Sequence, residues 1–341
     1  MRDQCALSGE ASTEAGAAHR PTERLRADAA GVARAAALLG SGRLVGIPTE
    51  TVYGLAADGR NAEAVAALYA AKGRPRFNPL IAHLGRPEDA LRVGRFDAAA
   101  QALAAAFWPG PLTLVVPLAA PDAVCDLARA GLDTVALRVP SHPVASAILQ
   151  ACGFPVVAPS ANRSGRLSPT AAGHVLADLD GRIDAVLDGG TTEIGLESTI
   201  VACLGAAPVL LRPGGVPRDA LERVIGGPLA EPRAEPGAPI SPGLLLSHYA
   251  PRAGVRLGAT RICAGEAALL FGAAQPVGLG RATAMLNLSP AGDLAEAATN
   301  LFGHLRRLDE SGAAAIAVVP IPEFGLGEAV NDRLRRAAAD R

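Results

Sequence analysis

With 341 residues, half of them hydrophobic and 19% charged, the chain has enough apolar surface for two domains, each with its own core, and too much for a disordered polymer. A formal net charge of −1 excludes a bulk electrostatic case for nucleic-acid binding, and no run reaches the roughly 18 apolar residues that a membrane helix needs. Five cysteines (Cys5, Cys125, Cys152, Cys203, Cys263) are odd in number, scattered and without C-x-x-C spacing, so they read as reduced thiols of a cytoplasmic protein.

Residues 1–21 lack the apolar stretch of a signal peptide and read as a disordered leader. Order is expected from Thr22, an N-cap candidate, with Leu25, Ala29, Val32, Ala36 and Leu39 at helical spacing. GRLVGIP follows as a short buried strand ending at Pro48, then TETVYGL as a polar loop. A helix starts near Asn61 and presents Ala64, Val65, Leu68 and Tyr69 to the core. Gly73 suits its left-handed C-terminal cap. Lys72 therefore lies on the last turn, where the helix dipole favours a cation. It is the single lysine among 32 Lys and Arg residues, and an arginine would serve the dipole equally well.

Further strands are expected at PLIAHL, PLTLVVPL, DTVALRVP, FPVVAPSA, DAVLDGG, STIVACL and PVLLRPG, with helices between several of them. This order predicts an α/β domain over 22–225 whose sheet mixes parallel and antiparallel members. Residues 226–254 form a Pro-rich connector, with six prolines between 226 and 251. It also carries LLLSHY, whose apolar and aromatic side chains a plain linker does not need, so part of it is expected to dock. Beyond it ATAMLNL reads as a strand, DLAEAATNLFGHLRRLDESG as an amphipathic helix, AIAVVPIP as a strand and GEAVNDRLRRAA as a helix. These make a small Rossmann-like parallel α/β domain over 255–341.

Several familiar devices are absent: a G-x-x-x-x-G-K-[ST] phosphate loop, a G-x-S-x-G elbow and zinc-ligand spacing. Present instead are polar segments at predicted strand ends. They supply Lys72, Arg74, Arg76, Arg138, Arg163, Arg166 and Arg212, and hydroxyls from Thr49, Thr51, Ser160, Ser164, Ser168, Ser198 and Thr199. Cations, hydroxyls and glycine backbone at strand ends suit a polyanion such as a nucleoside triphosphate, beside a carboxylate. A lone lysine fits a compact point charge on a phosphate where arginine's planar fork would not. Taken singly, each residue has a plainer reading: Arg212 as an ion pair, Ser198 as a cap, Tyr249 as packing.

PTETVYGL, AAKGRPRFNPLIAHL, WPGPLTLV, TVALRVPSHP, PVVAPSANRSGRLSPT, ESTIV and LLRPGG occur in this order between Pro48 and Gly215. The run closely resembles the YrdC-like family of L-threonylcarbamoyladenylate synthases. SPGLLLSHYAP and the sequence after it are similar to the longer, two-domain type. The resemblance implies a twisted mixed sheet around a large, concave, basic cavity, and a nucleotidyltransferase that makes threonylcarbamoyl-AMP from ATP, L-threonine and bicarbonate with Mg²⁺. The product would pass to proteins that threonylcarbamoylate adenosine 37 of tRNA. By motif position, Thr51, His83, Arg138, Ala158 and Ser198 would hold threonine. Arg74, Asn78, Thr134, Ser160, Asn162, Ser168 and Arg212 would contact ATP, and Tyr249 would reach back from the connector to cover the nucleotide. Lys72, Arg74 and Arg76 are the catalytic candidates, stabilising charge on the triphosphate and the departing pyrophosphate. One departure stands out: Ala202 occupies a place where the resemblance leads to an acid, with Glu197 or Glu193 as candidate replacements. Two other readings remain at this point. One is an RNA-binding module, against which the net charge and the 3% aromatic content speak, so direct tRNA binding is not expected. The other is carbamoyl transfer through carbamoyl-adenylate, as in hydrogenase maturation proteins, which carry acylphosphatase and zinc-finger segments not found here.

Overall fold

The computed structural model describes residues 21–232 and 249–339. The leader, apart from Pro21, and residues 233–248 of the connector lie outside the described residues, as does most of LLLSHY. The chain enters through a strand, β1 (Glu23–Arg26), rather than the helix expected from Thr22. Thr22 is tied to distant groups: its N–H donates to Asp180 Oδ1 (3.1 Å) and its hydroxyl to Ile183 O (3.3 Å). Tertiary pairing thus overrides the local helical spacing. Helix α1 (Ala29–Gly40) begins later, capped by Asp28, whose carboxylate accepts from Gly31 N at 2.9 Å. Gly31 allows the tight entry, because a Cβ there would lie 1.9 Å from Arg26 O.

The chain continues through β2 (Val45–Ile47), β3 (Gly54–Asp58), α2 (Ala62–Lys72), β4 (Ile81–His83), α3 (Pro87–Val93), α4 (Ala98–Phe107) and β5 (Leu112–Pro117). Then come α5 (Asp126–Arg129), β6 (Thr134–Arg138), α6 (Pro143–Cys152), β7 (Val156–Val157), α7 (Ala172–Leu179), β8 (Ala185–Asp188), β9 (Thr199–Ala202), β10 (Val209–Arg212) and α8 (Arg218–Ile225). The expected helix from Asn61 is α2: Asn61 Oδ1 accepts from Glu63 N and Ala64 N, and Gly73 closes it at φ 61°. Strand β3 was hidden by its composition, GLAAD. All five residues are buried, and small side chains let it run through the sheet interior, where a Cβ on Gly54 would approach Ala158 Cβ to 3.1 Å.

The ten strands form one mixed sheet in the order β1-β8-β2-β3-β7-β4-β6-β5-β9-β10. Register fixes which residues share a face. Thr113 pairs with Arg138 and Ile200, Arg138 with His83, and Ile200 with Arg212, giving a largely polar row across β4, β6, β5, β9 and β10. Beside it runs an apolar row, Ile81, Ala136, Val115 and Ala202. Alternate residues (Ala82, Leu114, Val116, Leu137, Val201) face the other way into the main core with α2 and α4.

A second sheet is built from β11 (Gly254–Arg256), β12 (Glu266–Leu270), β13 (Met285–Asn287) and β14 (Ala315–Val318), all parallel in the order β11-β14-β12-β13, with α9 (Leu294–Glu310) and α10 (Leu326–Ala338). The four expected elements are present; β11 and β12 were not anticipated. The core of this layer is not closed on itself. Leu301, Phe302 and Leu305 of α9 and Val330 and Leu334 of α10 belong to one buried cluster with Val52, Leu167, Leu196 and Tyr249. Arg306 donates to Leu167 O and pairs with Asp178 (3.1 Å), Thr299 Oγ1 donates to Glu193 O (2.6 Å), and Arg218 pairs with Glu328 (2.6 Å). No helix among the described residues is long and apolar enough to cross a membrane.

Gly195 concentrates this packing in one residue. Its φ is +75°, and a Cβ there would lie 2.6 Å from Ala298 O and Thr299 Cα of α9. Its N–H also donates to Thr51 O (3.1 Å). Gly195→Ala therefore meets a left-handed backbone and a steric clash together, and is expected to cost about 2 kcal/mol or more of unfolding free energy. A urea melt with an unchanged midpoint would contradict this.

Candidate active site

Helix α2 ends by delivering Lys72 inward, not to solvent. The residue is 3% exposed, and its Nζ donates to the carbonyls of Ser160 and Asn162. Ser164 N donates back to Lys72 O at 2.8 Å. The lysine thus fastens KGRPRFNPL to PSANRSG. Burial, then the neighbouring Arg74, hold its pKa well below the usual lysine range. A compact tip between two carbonyls explains why arginine does not stand here; the helix dipole does not.

After Gly73 the chain makes a turn in which Asn78 N donates to Pro75 O (3.4 Å). Arg76 and Phe77 sit exposed at its tip, while Asn78 returns to the interior. Arg76 therefore does not line the site, contrary to the expectation that it sits among the catalytic cations. Arg74 does. Its Nη2 donates to Pro79 O (3.3 Å), its Nε has no partner among the described residues, and burial brings its pKa down to about 10.

Arg74 and Asn78 line a hollow with about 690 Å³ of free space between its walls, part of it open to solvent. Thr51, His83, Arg138, Ala158, Ser160, Ser198, Arg212 and Tyr249 line it too, so ten of the fifteen expected residues share one cavity. Lys72, Asn162 and Ser168 lie buried behind the lining. Asn162 spends both amide hydrogens on its own loop, at Arg163 O (2.7 Å) and Arg166 O (2.9 Å). Thr134 opens β6, two pleats from Arg138 on the same face, but does not reach the lining.

Proton accounting constrains what each group can offer. Thr49 Oγ1 donates to Val52 O (2.7 Å), so the 2.8 Å contact between Thr49 and Thr51 uses the Thr51 proton. Arg138 Nη2 donates to Thr51 Oγ1 (2.9 Å) and to Glu50 Oε1 (2.7 Å). Glu50 was not anticipated as a partner, although it stands inside the quoted PTETVYGL. Burial opposes its ionisation, but Arg138 overrides this and holds the carboxyl below its ordinary range. Its Oε2 has no partner among the described residues. The guanidinium expected for a substrate carboxylate thus already carries a protein carboxylate.

His83 is 2% exposed, and Nδ1 lies 3.1 Å from Ile81 O, which assigns the ring hydrogen to Nδ1 and leaves Nε2 as an acceptor. Burial, then Arg138, push its pKa down to about 3. The unfolded chain binds a proton near pH 6.5 that the folded chain does not. The stability His83 contributes is therefore complete above pH 6.5 and falls as pH drops toward 3, by up to about 1.4 kcal/mol per unit. In acid melts His83→Gln should lose this slope relative to the parent; an unchanged slope would refute a buried neutral ring.

Farther along the polar row Arg212 donates through Nε (3.1 Å) and Nη2 (2.8 Å) to Ser198 O, and through Nη2 to Ser198 Oγ (3.2 Å), which also bonds Thr113 Oγ1 (2.7 Å). Glu197, another lining residue, accepts the Ser168 hydroxyl on Oε1 and Arg333 Nε on Oε2 (2.7 Å). Ser168 has therefore committed its proton, and what it can offer a ligand is a lone pair. Arg333 comes from α10, is 0% exposed, and lies 5.3 Å from the Tyr249 ring centre. Ala202 sits in the apolar row of the same sheet face, with no acid beside it in the register. Glu193 is exposed and contributes only its carbonyl to α9; Glu197 is held by Arg333. Among the described residues no group of three or more His, Cys, Asp or Glu is arranged to hold a metal.

Fold and site define an α/β protein in which strand-end loops gather three lining arginines, several hydroxyls and a neutral histidine around one hollow, a design for an anion beside a small polar molecule. Comparison with known proteins makes this particular. The family described as "Telomere recombination", of Sua5, YciO and YrdC, matches residues 37–214, and "Threonylcarbamoyl-AMP synthase, C-terminal domain" matches 216–339. Threonylcarbamoyl-AMP synthase of Bacillus subtilis is 40% identical over 342 residues, covering 94% of this chain and 96% of that protein. The Pyrococcus abyssi protein of the same name is 40% identical over 90% of this chain and 94% of its own. The crystal structure of P. abyssi Sua5 complexed with L-threonine aligns with a TM-score of 0.83 at 36% identity, covering 93% of this chain and 97% of that one. The chain belongs to the threonylcarbamoyl-AMP synthase family, whose activity is of the nucleotidyltransferase type.

Proposed function

We infer that the hollow binds ATP and L-threonine side by side and joins them through bicarbonate-derived carbon dioxide, giving L-threonylcarbamoyl-AMP and pyrophosphate. The observation that carries this reading is the shared cavity: KGRPRFNPL, ALRVP, APSAN, ESTIV, LLRPGG and Tyr249 meet at one place although they are far apart along the chain. Threonine is assigned to Thr51, His83, Arg138, Ala158 and Ser198, with the unprotonated Nε2 of His83 as an acceptor for its hydroxyl. Its carboxylate would share Arg138 with Glu50. The nucleotide is assigned to Arg74, Asn78, Ser160, Arg212 and Tyr249, with Lys72, Asn162 and Ser168 acting from behind the lining and Thr134 at the edge.

Chemically, the neutral threonine amine adds to carbon dioxide, losing a proton to form the carbamate. A carbamate oxygen then attacks the α-phosphorus while the bond to pyrophosphate breaks. This step needs alignment and charge neutralisation more than a protein nucleophile. Both carboxylates at the hollow are tied to arginines, so the site is suited to a divalent ion, Mg²⁺ in this proposal, that arrives on the triphosphate as part of the substrate. We place the protein in the cytoplasm, upstream of proteins that transfer the threonylcarbamoyl group to adenosine 37 of tRNA. The test is direct: incubate the purified protein with ATP, Mg²⁺, bicarbonate and labelled threonine, and look for the mixed anhydride by mass spectrometry. Pyrophosphate release that does not require threonine, or no anhydride at all, would reject the reading.

A further inference from the structure

We propose that Arg333, on the last helix, is a positioning residue for the nucleotide wall of the hollow: it holds Glu197, and through Glu197 the Ser168 hydroxyl, in place under the Tyr249 ring. The inference rests on the assignment of that wall to ATP, and gives the C-terminal layer a task in the reaction beyond packing.

The geometry is specific. Arg333 is one of the largest fully buried side chains among the described residues, at 0% exposure, in a helix whose other arginines, Arg335 and Arg336, reach its half-exposed or exposed side. Its Nε donates to Glu197 Oε2 (2.7 Å), its Nη1 to Asp332 Oδ2 (2.6 Å), and its Nη2 has no partner among the described residues. A helix needing only apolar contact with its neighbour would not bury a guanidinium. The bond spans 136 residues and joins α10 to ESTIV, two residues before β9 and next to Ser198.

Glu197 faces Arg333 from α10, whose other partner is Asp332, Arg212 from β10, Tyr249 from the connector and Ser168 from the LSPT loop. Burial opposes its ionisation, and Arg333 first, then Arg212, reverse that. While Glu197 is a carboxylate it can only accept, so Ser168 must donate to it. If Arg333 is removed, burial regains weight and the Glu197 pKa rises. Protonated Glu197 then becomes a donor and Ser168 can turn around; ionised Glu197 is an incompletely paired anion facing a triphosphate. Either way ATP binding depends on the titration of Glu197.

The experiment measures ATP and threonine KM from pH 6 to 9 for the parent, Arg333→Met, and the charge-neutral pair Arg333→Met with Glu197→Gln, each checked for fold by circular dichroism. Arg333→Met should raise the ATP KM at least tenfold at pH 9 and clearly less at pH 6, with the threonine KM within about twofold of the parent. In the double variant the ATP KM should stay about fivefold raised but lose its pH dependence. If Arg333→Met does not fold, the double variant decides alone, because it removes both members of the Glu197–Arg333 pair while Asp332 keeps Arg336. Parent-like ATP KM in the double variant, or a pH-independent rise in the single one, would overturn the proposal. Absence of threonylcarbamoyl-AMP from the parent itself would instead reject the nucleotide assignment.

Discussion

Lys72→Ala is expected to lower threonylcarbamoyl-AMP formation at least a hundredfold while leaving a folded protein. Two losses act together. The cation that the proposed reading places behind the triphosphate disappears, an expected effect of about 3 kcal/mol by analogy with other preorganised donors, which is roughly a hundredfold in rate. The carbonyls of Ser160 and Asn162, both served by Nζ, lose their donor as well, and an unsatisfied buried acceptor costs about 1–3 kcal/mol. The second loss falls on PSANRSG itself, so the variant should melt earlier as well as turn over slowly. Lys72→Arg separates the two. It restores a cation but brings a wide, planar head to a gap between two carbonyls that fits one small ammonium, so activity should remain low. ATP-dependent pyrophosphate release at near-parent rate in Lys72→Ala would remove the role.

What the sequence let one read, and what it did not, follows from the range of the interactions. The helix between Asn61 and Gly73 carries its own start and stop signals inside that one segment, and both caps are legible. Seven apolar runs after it announced strands β4 to β10. Strand β3 did not announce itself, because GLAAD, buried on both faces, has neither polar–apolar alternation nor a β-branched residue. β1 reads as helix because Leu25 fits a helical spacing that continues into α1, whereas its partner strand, β8, lies far along the chain, with Leu25 registered against Leu187. The same limit applies in the site. The loops that converge could be named from their position at strand ends. Which cation faces inward could not: Lys72, expected on the last helical turn and at the phosphates, is buried against backbone, and Arg76, just beyond Arg74, is exposed. Glu50 with Arg138 and Glu197 with Arg333 are pairings across 88 and 136 residues, and no local pattern encodes them.

Those long-range pairings also set the second large effect. Arg138→Met is expected to abolish saturation by threonine, raising its KM at least a hundredfold, while the ATP KM changes only a few-fold. It is also expected to destabilise the fold, since Glu50, 2% exposed, would be left as a buried anion, a situation that costs about 3–5 kcal/mol. Without the guanidinium, burial dominates and the Glu50 pKa lies above its unfolded value. The sign of the pH dependence follows: for a raised folded pKa, stability is present below the unfolded value near 4.5 and is lost as pH rises. The single variant should therefore be more stable near pH 5 than at pH 8, relative to the parent. Pairing it with Glu50→Gln removes the stranded charge and should return the melting temperature toward that of the parent without restoring threonine affinity. That combination divides stability from recognition: a double variant with normal threonine KM would mean that Arg138 serves only to neutralise Glu50, and that the substrate carboxylate is held elsewhere in the hollow.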